Sequence, residues 1–205
     1  MSGTKIEFRA PRRASTIGLW LFLAALAMLF ISSMWLYVLM RLGVFGRISK
    51  APVHVPSLAW GSTVVLWIGS FTIHRAVAAI RRERLKSCLK FLYLTCALAV
   101  VFLAVQSPCM AQVLQRHRAI AEQAAAGKGP GEFAPVSMYG LVFFLILVHA
   151  LHVVGGIVAL AIVTLRARRG KYDHENYLGI QFAARYWHFL DVVWMAMFTM
   201  FLVMG

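Results

Sequence analysis

FAPVSMYGLVFFLILVHALHVVGGIVALAIVTL, residues 133–165, runs for 33 positions without Asp, Glu, Lys or Arg. A helix rises 1.5 Å per residue, so roughly 20 apolar residues cross the hydrocarbon core of a bilayer. In lipid every backbone amide must be satisfied within its own segment, which makes the stretch a helix. Reading outward, residues 14–40, 51–74 and 91–115 also lack all four charged types, and residues 186–205 carry one, Asp191. The alternation of a membrane barrel strand is absent. These runs predict an all-α integral membrane bundle of five transmembrane helices, near 17–40, 58–80, 89–112, 136–163 and 182–203. A basic tail over 1–16 precedes them, and no soluble domain of consequence is expected. Ser15 or Thr16 is expected to cap the first helix, and Ser57, after Pro56, the second. Pro135 suits the first turn of the fourth, and Pro108 is expected to bend or end the third. The polar segment QVLQRHRAIAEQAAAGKGPG that follows is expected to form a short helical extension ending in a Gly-rich turn. The first apolar run is too long for a cleaved signal peptide.

Composition agrees. Hydrophobic residues make up 61% of the 205 residues and charged residues 14%, where a soluble domain carries about a quarter charged residues. The net charge is +14, but Lys and Arg sit in short clusters between apolar runs. That distribution speaks for membrane topology and anionic head groups and against a nucleic-acid groove. Counting Lys and Arg by side gives 15 on the side of the N-terminal tail, the second connection and the fourth, and six on the other. The bias places the N-terminus in the cytoplasm and the C-terminus in the periplasm. Cys88, Cys96 and Cys109 form neither a C-x-x-C pair nor a disulfide framework.

The chemistry lies in polar residues that lipid would reject. The fourth helix carries His149 and His152, three apart and on one face. The fifth carries Arg185, His188 and Asp191, again spaced by three. An unpaired ionisable group at mid-membrane costs about 2.5–3.5 kcal/mol on insertion scales. These groups should therefore face other helices. Counted from the helix ends on one side, His152 and Asp191 lie within ~3 Å of one depth, so Asp191 is expected to accept a hydrogen bond from a histidine of the fourth helix or from His188. Three readings are open: a buried network (His149, His152, His188, Asp191) that holds helices together, haem ligation by His74 and His188, and a proton relay. Gly155, Gly156 and Ala159 provide small residues for close helix approach, with Trp187 and Trp194 as packing partners. Arg81, Arg82, Arg84 and Arg185 are candidates for lipid head-group contact. His174 and Glu175 read as a solvated loop. No nucleotide loop, zinc motif or nucleophile–base pair is present, so no catalytic, cofactor-binding or metal residue is expected.

The last helix, YWHFLDVVWMAMF over residues 186–198, resembles the most distinctive signature of subunit III of the haem-copper terminal oxidases, aromatic–Trp–His–Phe–aliphatic–Asp–Val–Val–Trp. HALHVVGG (149–156), IGLWLFLAALAMLF (17–30) and FLAVQ (102–106) are similar to further segments of that family, in order. The resemblance implies a short five-helix form, found in bacterial cytochrome c and quinol oxidases, where longer members have two more N-terminal helices. It also implies a non-catalytic accessory subunit in the bacterial inner membrane, serving aerobic electron transport. Such a subunit packs on the catalytic subunit I, which holds the haem and copper, binds phospholipid and supports proton uptake. The family's acid in the first of these helices aligns with Leu26, and a second Glu with Gln181. Trp60 and Gly61 replace a common Asn–Thr step. These departures suit a divergent paralogue, such as one serving a nitric oxide reductase.

Overall fold

The computed structural model describes residues 12–44, 58–125, 134–172 and 176–204. They form five helices: α1 (Arg12–Arg41), α2 (Leu58–Arg81), α3 (Leu85–Ala125), α4 (Ala134–Arg168) and α5 (Leu178–Met204). All five are long and apolar enough to cross a membrane, and among the described residues there is no strand. Several helices outrun their apolar cores. α1 starts at Arg12, which puts Ser15 and Thr16 inside the helix instead of at its cap. α3 runs through Pro108 to Ala125. Ending a helix inside lipid would strand several backbone groups, whereas Pro removes one N–H. Beyond it, the Arg, Gln, Ala and Glu of 111–125 are good helix formers that continue the rod into water. Pro135 falls in the first turn of α4. Ser57, Lys5, Arg9, His174, Glu175 and the Gly-rich turn near 126–131 lie outside the described residues.

Three helix ends share one stop. At Gly43 (φ 74°), Glu83 (φ 59°) and Gly170 (φ 68°) the chain turns left-handed. In each case paired amides reach back to the last carbonyls, as in Lys171 N to Arg166 O and Gly170 N to Ala167 O. This is the Schellman closure, which satisfies carbonyls that a helix end would leave open. The stop at Glu83 leaves only Arg82, Glu83 and Arg84 between α2 and α3, so those two helices pack as an antiparallel pair.

α2, α3, α4 and α5 form a ring in which each touches the next and α5 closes on α2; α1 leans on the seam between α4 and α5. The larger core gathers α2 to α5, with Ile73, Leu92, Phe102, Leu160 and Trp187 buried. A second joins α1 to α4 and α5 through Phe30, Tyr37, Leu145 and Met197. Only 17% of the apolar window of α1 is buried, against 44% for α2 and α5. Most of α1 therefore faces whatever surrounds the chain. At the far ends the Arg41 guanidinium donates to the Met204 carbonyl, joining α1 to α5.

The close approach of α4 to α5 rests on Gly156. A Cβ there would lie 3.3 Å from Leu190 Cδ1 and from Tyr186 Cε1. Of the three small residues expected at this contact, Gly155 and Ala159 lie to one side of Gly156 and border an apolar cleft of about 470 Å³ between α1, α4 and α5. Gly156→Leu is expected to cost about 1–3 kcal/mol by overpacking, read as a lower thermal midpoint in detergent. Gly155→Ala, whose Cβ would meet only the Tyr186 hydroxyl at 3.8 Å, should leave the midpoint within a degree or so of wild type.

Candidate functional site

α5 organises the polar groups because three helices touch it. Its inward stripe is Trp187, Leu190, Trp194 and Met197, all buried, at the i, i+3, i+4 spacing of one helix face. Trp194 Nε1 donates to Thr63 Oγ1 at 3.1 Å. Two turns further along, Ser70 Oγ lies 2.7 Å from His188 Nδ1. Thr63 and Ser70 are seven apart on α2 and share a face, while Trp194 and His188 are six apart on α5. The two bonds are therefore rungs of one antiparallel ladder.

Asp191 sits one turn from His188. It is buried, at 8% exposure, and its Oδ2 is 3.9 Å from His188 Nδ1. That separation permits an ion-pair contact but is too long for a hydrogen bond, and neither carboxylate oxygen has a hydrogen-bond partner among the described residues. Asp191 borders an open cleft between α2 and α5, walled by Trp67, Phe71, Val192 and Met195, while both of its carboxylate oxygens are themselves buried.

The histidines of α4 do not reach Asp191, contrary to the pairing expected from depth alone. Matched depth is not matched azimuth: His149 points into the ring of helices, while Asp191 points along the α2 flank. His149 is 1% exposed. Its ring lies 5.4 Å from Trp194, 6.2 Å from Phe30 and 6.4 Å from Phe102, centroid to centroid, and neither nitrogen has a hydrogen-bond partner among the described residues. His152 faces α1, its ring 5.5 Å from Phe30. Its Nδ1 is 2.7 Å from the Val148 carbonyl. A carbonyl only accepts, so Nδ1 carries the proton. The Tyr186 hydroxyl donates to the His152 carbonyl at 3.0 Å, and the Tyr186 ring stacks on Phe22 of α1 at 6.0 Å. Leu26 is buried one turn before Phe30, on the α1 face that meets these histidines. With Leu at the position where the resemblance implies an acid, α1 brings them no carboxylate there.

The four candidate arginines separate. Arg81, Arg82 and Arg185 border one groove between α2 and α5, together with His74, Gln181 and His188. Arg84 lies past the turn and is not on that lining. His74 and His188, the pair considered for haem, border the same groove, with His188 Nδ1 engaged by Ser70. Among the described residues no three of His, Cys, Asp and Glu converge as metal donors. Sequence reasoning missed the partners Thr63, Ser70 and Tyr186. The signal for two of them was present as hydroxyls seven apart on α2.

The family model for Cytochrome c oxidase subunit III matches residues 130–205, the C-terminal segment that carries α4 and α5. Probable cytochrome c oxidase subunit 3 of Rickettsia bellii is 32% identical over 156 residues, covering 75% of this chain and 50% of the relative. The chain belongs to the cytochrome c oxidase subunit III family. Cytochrome c oxidase subunit 3 of Thermostichus vulcanus is 28% identical over 158 residues, covering 76% of this chain and 69% of the relative. That of Alkalihalophilus pseudofirmus is 25% identical over 189 residues, covering 92% and 86%. The chain thus spans half the length of the Rickettsia relative. For a subunit III chain, the signature helix is the one whose side chains tie most of the bundle together.

Thr63→Val and Trp194→Phe should show a coupling of about 0.6–1 kcal/mol in a double-mutant cycle, the usual size of an interhelical hydrogen bond in a membrane protein. Unfolding of the four variants in mixed micelles measures it, and strictly additive losses would refute the bond.

Proposed function

We propose that this chain is a non-catalytic accessory subunit of a bacterial respiratory haem-copper oxidase. It holds the catalytic subunit through its helix surfaces, keeps phospholipid in its clefts and supports proton uptake. The observation that carries this reading is the use made of the family signature on α5. Trp187 and Trp194 are buried, His188 is bonded to Ser70, and Asp191 rests against His188. Trp194 and His188 of the motif thus bond to α2, which is how a scaffold uses such side chains. The exposed apolar face of α1, with Trp20, Met28 and Trp35, suits lipid or a larger membrane partner. Haem and copper would belong to that partner. The N-terminus would be cytoplasmic and the C-terminus periplasmic, as the basic residues indicate. Leu26 and Gln181, standing where the resemblance implies acids, favour a second reading as the corresponding component of a nitric oxide reductase.

Affinity purification from native membranes decides between them. A large haem-bearing oxidase subunit should co-purify, and its identity names the enzyme. Asp191→Leu should lower recovery of the partner several-fold, because it removes a polar group from the α2–α5 flank. Recovery of an equally stable complex with that variant would defeat the structural role of Asp191.

A further inference from the structure

We infer that the seam between α2 and α5 is the seat of one transmembrane helix from a partner subunit. That helix carries an acidic residue at the basic end of the seam and a hydrogen-bonding side chain at the level of His188. Three hollows join along the seam. The first, of about 350 Å³, is bordered by Arg81, Arg82 and Arg185. The second, of about 580 Å³, is bordered by Trp67 and Phe71, and the third, of about 590 Å³, by Ala196, Thr199 and Val203. The first two share His74 and His188, and the last two share Val192 and Met195. On α5 the lining therefore runs from Gln181 to Met204, about 35 Å at the rise of an α-helix.

Length selects the occupant. The hydrocarbon core is about 30 Å thick, so the groove crosses both leaflets, whereas one phospholipid fills only its own. A membrane-spanning helix fits end to end. Its backbone can come close because Ser70, Ala184 and Ala196 keep the lining small. Trp67, Phe71, Val192 and Val203, all well over half exposed, supply the apolar ridges on either side.

Polarity separates protein from lipid. His188 lies ten residues inside the start of α5 and Ser70 eleven inside the end of α2, each about 15 Å along its helix. At that depth the His188 side chain is 40% exposed. His74, one turn nearer the basic end, is exposed as well. An acyl chain offers an imidazole no hydrogen bond, which makes such exposure costly in lipid. Ser70 engages His188 Nδ1 and leaves Nε2 for a group outside the bundle. The carboxylate oxygens of Asp191 are buried, so the contact falls to His188. At the basic end, Arg81, Arg82 and Arg185 complement an acid on the partner.

The test places a photoreactive benzophenone amino acid at Phe71, Val192 or Thr199 of the full-length chain, all exposed positions, and irradiates native membranes. Peptide mass spectrometry maps each product. All three sites should mark one transmembrane segment of one other protein. The residues captured from Val192 and Thr199 should lie roughly seven positions apart, with an Asp or Glu at the end that meets the arginines. The same probe at Leu151 or Val158, exposed on α4, should not mark that segment. Arg82→Glu should lower capture about tenfold through like-charge repulsion, and exchanging the partner's acid for arginine should restore it. Lipid adducts alone, products within this chain or with a second copy of it, captures scattered over several segments, or capture unmoved by Arg82→Glu would each overturn the inference. It rests on the reading of the chain as a membrane subunit, and the two fail separately. A single helix from a protein outside any haem-copper oxidase keeps the seat and removes the oxidase reading. A haem-bearing subunit that co-purifies while the probes mark only lipid keeps the reading and removes the seat.

Discussion

In hydrocarbon a polar side chain has no water to fall back on, so each one must be met by another helix or be held at an edge where something else can meet it. The bundle is arranged around that constraint. Thr63 with Trp194, Ser70 with His188, and Thr72 with Thr95 at 2.8 Å join α2 to both of its neighbours. Tyr186 with the His152 carbonyl joins α5 to α4. Each bond is individually weak, because a membrane helix that loses one partner often finds another. Their joint effect is directional: they fix which face each helix presents in a medium that would otherwise tolerate any rotation.

α5 holds the arrangement together because it touches α1, α2 and α4. Its buried stripe contributes area and its tryptophan contributes a donor, a combination that suits Trp at a helix junction. Trp194 meets Phe102 from across the ring at 5.5 Å and His149 at 5.4 Å, so one side chain links three helices. Asp191 is the exception. It is buried but incompletely matched, and it lies at the border of an open cleft instead of in the core. An unmatched carboxylate at an interface of the bundle is the pattern expected where a second molecule completes the structure.

The number and class of elements were legible in the sequence because lipid permits so few alternatives. Five charge-poor runs leave only helices, and α2, α4 and α5 lie within a few residues of where their apolar runs place them. Rotation was much less legible. α4 is apolar nearly all round, so the small residues 155, 156 and 159 suggested close packing without stating which of them faces α5; Gly156 does, 100° from Gly155. Depth arithmetic set His152 level with Asp191 but carried no azimuth, so it joined two residues that point different ways. The helical extension past 112 was legible, but its union with the span in one helix was not. Pro108 signals a stop in water, where freed carbonyls are solvated, and loses that meaning inside a bilayer. Spacing did carry the pairing of α2 with α5, in hydroxyls at 63 and 70 opposite 194 and 188, although each looks ordinary alone.

α3 has 41 residues and so runs about 60 Å, roughly twice the thickness of the hydrocarbon core. Its last turns, with Arg116, Arg118 and Glu122, leave the membrane as an unbroken continuation of a helix clamped between α2 and α4. A rod anchored in that way transmits orientation. A binding protein or an added helical fusion gripping those turns would inherit the attitude of the whole bundle, and would give images of an otherwise lipid-embedded chain a rigid landmark outside the micelle.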